Sequence, residues 1–490
     1  MRSLVFLFVA LIVAAAVFGL ALYARNDYYL FAGYVVLQYV VLATAWNILG
    51  GYCGYVNFGS AAFFAVGAYT TVALHKLGAD PERYLRYLSD VTSDVESSWL
   101  SRGGAWLLGE IVTLLQPLLP FWLPTLIVLG GVVSGLVGFG MGYLTLRLRG
   151  VFFAIATLAM AVVLQTFVIN WDYVGGSRGA YVLRPDSIDL GPVTLTYIQY
   201  LFLLMLLLAV LALWIARTIE RSRMGLGFAT IRDDEAAAEA SGVPTLRLKL
   251  AATALSGALM GMAGAPLPYY IGFVEPAASF GLPYAVNSIA MPMIGGTTNW
   301  AGPLVGAILL GTLQQIATVT ISSVVNLLLV GVLLVAFVIA APVGIVGLMQ
   351  ELLRTAAPTR LNFRSIAIIV IASYCFLVGI VAIIFNLPSL QTANATVAFL
   401  GACGILVGTL YLTASYGLLK LRGWARPVAA LAFVSSIAFG AAHIWLDPAA
   451  RSLGIHTVMI AIALLALWYL QHHDVRVLYK RLAGSKLVAT

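Results

Sequence analysis

Long apolar runs of about twenty residues recur along the chain. A helix rises about 1.5 Å per residue, so one such run covers the roughly 30 Å hydrocarbon core of a bilayer. Ten runs lie before residue 350, at about 4–23, 28–49, 53–75, 122–146, 151–170, 197–216, 249–272, 279–298, 302–322 and 324–346. Four more lie at about 364–386, 394–418, 427–446 and 456–471. Polar and apolar residues do not alternate as in a barrel, so we predict an all-α polytopic integral membrane protein with about ten plus about four helices.

The low content of charged residues leads to the same class. Of the 490 residues, 62% are hydrophobic and 9% are charged, whereas a soluble domain is about a quarter charged. Membrane lipid is therefore the solvent of most side chains. The first run, 4–23, resembles a signal peptide because Arg2 precedes it. It is longer than the roughly 7–15 apolar residues of such a peptide, so we expect a retained helix.

Basic residues between the runs indicate the orientation of the chain. The clusters are Arg147 and Arg149; Arg217, Arg221, Arg223, Arg232, Arg247 and Lys249; Arg354, Arg360 and Arg364; Lys420, Arg422 and Arg426; and Arg476, Lys480 and Arg481. One count of helices puts every cluster on the same side. By the positive-inside rule that side is the cytoplasm, with both termini in it. The net charge of +8 then reports topology in the plasma membrane, and we expect no nucleic-acid partner.

No residue pattern in the sequence is typical of catalysis. Cys53, Cys375 and Cys403 lack metal-type spacing, and no carboxylate dyad or nucleophile with its base is evident. We therefore expect no enzyme activity, metal or cofactor. The sequence also lacks the Gly-x-x-x-x-Gly-Lys-Ser/Thr phosphate-binding loop. Acidic residues are scarce in the spans, which disfavours transport driven by protons or sodium.

A polar stretch with a proline, 355–362, separates the first ten runs from the last four. Such stretches are typical of domain boundaries. We predict one domain at 1–354, a linker at 355–362, and a second membrane domain at 363–490 whose role the sequence does not indicate.

The cytoplasmic segment 222–243 combines arginine, acid and alanine residues. Asp233 suits an N-cap, Glu235 would lie near the positive end of the helix dipole, and Gly242 suits the left-handed stop before Pro244. These features predict a helix of about two turns parallel to the membrane, with an acidic rim open to a basic partner. A solvated charged loop is the plain alternative.

The same segment resembles the coupling loop of ABC importer permeases, in the form found in the branched-chain amino-acid permease family of the LivM type. The matching residues are Arg223, Gly225, Arg232, Asp233, Asp234, Glu235, Ala237, Ala238, Glu239 and Gly242. Three other stretches resemble the family in the same order, at 46–69, 147–158 and 295–307. The resemblance covers about residues 25–350, which makes 1–354 an ABC importer permease domain.

The resemblance implies a permease subunit of an ATP-driven importer of branched-chain or related hydrophobic amino acids. It also implies three kinds of partner: a second permease subunit in a heterodimer, two cytoplasmic ATPase subunits, and an extracytoplasmic substrate-binding protein. A permease for urea or short amides of the same family is an alternative, and an autonomous secondary transporter is another.

Four uncharged polar residues in the spans are candidates for the translocation path: Asn47, Asn57, Gln165 and Asn287. A polar group at membrane depth needs a partner, which is either another helix or the substrate. For the coupling loop, we expect from the sequence that Glu235→Arg uncouples transport without harming insertion, because the loop would lie in water.

Overall fold

The computed structural model describes residues 2–23, 26–79, 123–148, 150–183, 187–189, 194–320, 331, 344–347, 371, 375, 378–379, 382, 395–419 and 424–446. The chain forms two compact units. One comprises 1–315 and 327–347, and the other comprises 316–326 and 348–490. The predicted linker 355–362 and the predicted runs at 324–346, 364–386 and 456–471 lie wholly or mostly outside the described residues.

The first unit is built from helices. They are α1 (Arg2–Tyr23), α2 (Asp27–Asn47), α3 (Ser60–Ala79), α4 (Leu123–Thr145), α5 (Val151–Ile169), α6 (Tyr197–Glu220), α7 (Arg223–Asp233), α8 (Glu235–Ala240), α9 (Thr245–Gly264), α10 (Leu267–Ile271), α11 (Pro276–Ser279), α12 (Leu282–Gly295) and α13 (Ala301–Thr320), the last of which ends in residues of the other unit. A π-helix, Ile48–Tyr52, continues α2, and two 3₁₀ turns, Asp172–Val174 and Gly176–Arg178, follow α5.

Among the residues that the structure describes, seven helices are long and apolar enough to cross a membrane. They are Ser3–Tyr23, Asp27–Tyr52, Leu123–Thr145, Val151–Ile169, Tyr197–Glu220, Thr245–Ile271 and Gly401–Leu418. The predicted all-α polytopic class is therefore confirmed. The cytoplasmic placement of both termini stays a prediction.

Three predicted spans are split or shorter in the structure than the apolar runs suggested. The run 53–75 is irregular up to Gly59, and α3 begins only at Ser60. The run 249–272 contains α9 and α10, with the boundary at Ala265–Pro266. The run 279–298 contains α12, which has only 14 residues. Interrupted helices at membrane depth are tolerated where protein covers the freed backbone groups.

Helix α9 lies at the centre of the first unit and packs against α2, α3 and α4. Glycines permit this close packing. A Cβ at Gly67 of α3 would overlap the Gly261 carbonyl of α9, and a Cβ at Gly264 would overlap the Phe64 carbonyl. Small residues at helix crossings let backbones approach until van der Waals contact holds them.

Four short strands lie at the ends of α5 and α6 that are remote from α7. β1 (Ala180–Tyr181) pairs antiparallel with β4 (Phe273–Val274). β2 (Ser187–Asp189) and β3 (Thr194–Thr196) form a hairpin, with Ile188 opposite Leu195. These strands have only two or three residues each and do not change the all-α fold class.

The described helices of the second unit are α14 (Ala395–Leu419) and α15 (Ala425–Leu446), close to the predicted runs 394–418 and 427–446. The two pack together through small residues, and the Tyr411 and Phe433 rings meet edge to face at 5.4 Å. A Cβ at Gly379 would lie 2.8 Å from the Gly408 carbonyl oxygen. Close packing against α14 at this point therefore depends on the missing side chain of Gly379.

Candidate coupling loop and polar residues

The segment 222–243 folds as two helices, α7 and α8, rather than one. Ser222 caps α7 by accepting from Gly225 N at 3.3 Å. Asp234 has extended backbone angles, and its side chain accepts from Ala236 N at 2.9 Å and Ala237 N at 3.1 Å. The N-cap of the acidic helix is thus Asp234, one residue after the predicted Asp233.

Asp233 is instead the last residue of α7, where its exposed carboxylate accepts from Arg232 Nε at 3.3 Å. An exposed pair of this kind contributes little to stability. Adjacent aspartates offer equal side chains for capping, so the choice depends on where α7 ends. The correction shifts the start of α8 by one residue.

Gly242 ends α8 as predicted. Its φ is +82°, and the Val243 N–H donates to Ala238 O at 3.0 Å while the Gly242 N–H donates to Glu239 O at 3.0 Å. These two bonds satisfy carbonyls that the helix end would otherwise leave unpaired. Both ends of α8 are therefore capped within the chain.

Apolar residues hold the two helices against the body of the protein. Phe228 and Ile231 of α7 and Ala238 of α8 are buried. Arg223, Arg232, Asp233 and Glu239 are exposed, and Leu226 is 69% exposed. The loop therefore exposes charges of both signs and one large apolar side chain.

Glu235 does not belong to this exposed rim. Its side chain is 13% exposed, and it forms an ion pair of 2.5 Å with Lys249, which is 4% exposed. The Tyr55 hydroxyl also donates to the Glu235 carboxylate. This corrects the expectation that the whole acidic stretch faces water, because Glu235 is bound by two side chains of its own chain.

The irregular segment 53–59, which we call the helix break, lies beside this pair. Gly54 has a φ of +81°, and a Cβ there would lie 3.0 Å from Arg232 Cγ. Trp46 Nε1 donates to Asn57 O at 2.9 Å, and the Asn57 side-chain oxygen accepts from Gly59 N at 2.7 Å. The break is thus held by contacts to α2 and to α7.

The candidate path residues lie in different surroundings. Asn47 and Asn57 are buried on either side of the π-helix. Asn287 is buried in α12, donates to the Tyr39 hydroxyl at 3.1 Å and accepts from Gln314 Nε2 at 2.8 Å. Gln165 is half-buried on α5, and no described hydrogen bond links it to the three asparagines.

Sequence reasoning missed several buried polar residues. Gln314 pairs with Asn287, Gln38 Nε2 donates to Ala263 O at 3.1 Å, and the Ser60 and Ser288 hydroxyls are 2.8 Å apart. Gln38 and Gln314 stand inside apolar runs, so the signal that selected Asn287 was available for them. Lys249 was read only as a marker of orientation, and its distant partner was not evident.

Comparisons with known proteins point to one family of transport proteins. The family described as branched-chain amino acid transport system / permease component matches residues 28–338. The high-affinity branched-chain amino acid transport system permease protein LivM of Salmonella typhimurium is 25% identical over 343 residues, covering 65% of this chain and 70% of its own. LivM of Escherichia coli K12 is 26% identical over 343 residues, which also cover 65% of this chain and 70% of the relative.

A more distant relative is the probable branched-chain amino acid transport permease protein LivH of Methanocaldococcus jannaschii. It is 24% identical over 238 residues, covering 46% of this chain and 73% of its own. No solved structure matches the chain. The family model covers more than half of the sequence, so the chain belongs to the family of branched-chain amino acid transport permease components and is a multi-pass plasma-membrane transport protein, not an enzyme.

Proposed function

We propose that the chain is the transmembrane permease subunit of an ATP-driven importer for branched-chain or related hydrophobic amino acids. The observation that carries the proposal is the α7–α8 loop, which is anchored by the buried Phe228 and Ile231 and exposes charged residues as well as Leu226. Such a surface suits docking of another protein, because an apolar centre with a polar rim is typical of interfaces.

The docking partners would be two cytoplasmic ATPase subunits. Arg223, Arg232, Asp233 and Glu239 would supply the polar rim, while Asp234 and Gly242 fix the two ends of α8. Gly225 contributes indirectly, since a Cβ there would overlap the Ile219 carbonyl at the end of α6. Family membership supports a second permease subunit and an extracytoplasmic substrate-binding protein as the remaining partners.

In this proposal the subunit performs no chemistry. ATP binding and hydrolysis in the partners would bias two packings of the helices, one open inward and one open outward. Asn47, Asn57 and Asn287 would offer polar contacts to the ammonium and carboxylate groups of the substrate, and Gln165 stays a weaker candidate.

The test is reconstitution of the chain in vesicles with and without its partners. With both permeases, the two ATPases, the binding protein and ATP, we expect uptake of labelled leucine. The chain alone should move none, whether or not a proton or sodium gradient is applied. An ATPase variant without its phosphate-binding lysine is the control and should abolish uptake.

Two results would contradict the proposal. Leucine flux through the purified chain, driven by an ion gradient, would make it an autonomous secondary transporter. Uptake of urea or a short amide by the full complex, without uptake of leucine, would assign the chain to the other substrate class.

We also propose that residues 363–490 form a separable domain. The family match ends at residue 338, and the whole of the first compact unit lies before residue 348. A chain of residues 1–357 should therefore assemble with its partners and retain substrate-stimulated ATP hydrolysis.

The matched control for this truncation is a chain that ends at residue 300. It lacks α13, whose Gly302 and Gly306 pack against α12 so closely that a Cβ on either would overlap a backbone carbonyl. It should fail to assemble, as measured by co-purification of the ATPases in mild detergent. If residues 1–357 also fail, the second unit is an integral part of the permease.

A further inference from the structure

We propose that Glu235, Lys249 and Tyr55 are positioning residues that tie the coupling loop to the helix break, so that a displacement of the loop moves residues 53–59. The coupling part of this inference rests on the proposed function. The mechanical part, that the cluster holds the break closed, does not depend on the substrate or on the ATPases.

The geometry joins four separate segments. Lys249 Nζ, on α9, donates to Glu235 Oε1 at 2.5 Å, to the Tyr55 hydroxyl at 3.2 Å and to the Leu146 carbonyl at 3.3 Å. The ammonium has three donors, and all three are used. Glu235 belongs to α8, Tyr55 to the helix break, and Leu146 follows α4 directly.

Burial makes the ion pair between Glu235 and Lys249 difficult to break. Glu235 and Lys249 are almost removed from solvent, and an unpaired charge there would be costly. Neither side chain can leave the other without exposing itself or finding another partner. Because α8 is capped at both ends, a push on the loop reaches Glu235 without first unwinding the helix.

The helix break, to which a displacement of the loop would be transmitted, is suited to movement. The break has no regular helical hydrogen bonding over residues 53–57, and it follows a π-helix. Tyr55 is additionally held by an edge-to-face contact with Phe153 at 5.1 Å between ring centroids. Asn57, two residues further on, is one of the proposed path residues. A shift of Tyr55 would thus change the position of a polar group inside the membrane.

The first test uses the native thiol of Cys53, which is buried next to Gly54. Labelling of Cys53 by a maleimide is measured on the purified full chain by peptide mass spectrometry. In the Glu235→Gln/Lys249→Met double variant, which removes both charges together, we expect labelling at least about tenfold faster than in the wild type, as for a local opening. Cys375, buried in the second unit, reports unfolding of that unit only, so the thermal midpoint of the purified chain is measured as the report of global unfolding. Neither should change.

A milder variant protects this test against misfolding. Tyr55→Phe removes only the hydroxyl and keeps the ring against Phe153, and it should accelerate Cys53 labelling by several-fold. Arg247→Met is the matched control, because it removes one positive charge from an exposed site of α9 and should label like the wild type. If the thermal midpoint falls in the double variant, Tyr55→Phe alone decides the test.

The second test uses the full complex and measures leucine molecules imported per ATP hydrolysed. In Tyr55→Phe and in the double variant this ratio should fall by about tenfold, while ATPase recruitment persists. A merely structural role would lower the amount of complex and leave the ratio unchanged.

The outcomes separate the two proposals. Wild-type Cys53 labelling in Tyr55→Phe, with or without transport, overturns the mechanical link. Faster labelling with a wild-type transport ratio overturns the coupling role. A wild-type complex that hydrolyses ATP but imports no leucine overturns the proposed function, and the labelling result still supports or overturns the link.

Discussion

Replacing Gly67 with valine is expected to remove nearly all folded protein, whereas the same replacement at Gly140 should be tolerated. A Cβ at Gly67 would overlap backbone atoms of Gly261, where α3 crosses α9. Backbone cannot step aside as a side chain does, so the helices must separate. Overpacking costs typically about 1–3 kcal/mol and more where nothing can yield, and marginal stability makes such a loss severe.

Gly140→Val is the matched control for Gly67→Val. Gly140 lies within α4, and a Cβ there would meet nothing within 4 Å. Both variants introduce the same β-branched residue into a helix, so its effect on helix propensity cancels. The measurement is the fraction of protein that elutes as a single species in mild detergent, together with its thermal midpoint. Equal behaviour of the two variants would show that α3 and α9 do not cross at Gly67 as described.

The lengths of the apolar runs predicted the uninterrupted helices well. The run 122–146 corresponds to Leu123–Thr145, and the run 151–170 corresponds to Val151–Ile169. The reason is physical, since the thickness of the bilayer sets the length and lipid forces the backbone to bond internally. Run length alone therefore sufficed for these helices.

Run length could not predict where a helix breaks within an apolar run. The helix break stays irregular because Trp46 binds the Asn57 carbonyl, Asn57 caps Gly59, and Gly54 takes a left-handed φ against Arg232. These contacts join positions up to 178 residues apart in sequence, as the numbers of Gly54 and Arg232 show. Composition and run length do not contain that information, so the sequence predicted a helix from residue 53, whereas the structure has the break there and α3 begins only at Ser60.

In the candidate coupling loop, too, local features were predictable from the sequence and long-range contacts were not. Gly242 was predictable because a glycine followed two residues later by proline is a local stop signal. The N-cap was placed one residue early because Asp233 and Asp234 are chemically equivalent. The burial of Glu235 depends on Lys249 and Tyr55, which come from α9 and the helix break. Local signals thus gave the existence of the helix but not the direction of its first acidic side chain.

The burial of Glu235 reverses the result expected for Glu235→Arg. If Glu235 faced water, reversing its charge would cost roughly 0.3–1 kcal/mol through the helix dipole, and insertion would survive. In the structure the new guanidinium would lie beside the Lys249 ammonium in a largely buried site. Removing one partner of a buried pair costs about 3–5 kcal/mol, and repulsion between the two cations adds to it. We therefore expect loss of folded protein rather than a folded, uncoupled permease.

Asp233→Arg is the matched control, because it makes the same charge change two residues away on a side chain that is 74% exposed. It should accumulate and elute like the wild type in mild detergent, while Glu235→Arg should aggregate or be degraded. Adding Lys249→Met to Glu235→Arg removes the facing cation and should recover part of the folded fraction. Equal recovery of the two arginine variants would mean that Glu235 faces water after all, and the buried pair would have to be abandoned together with the link to the helix break.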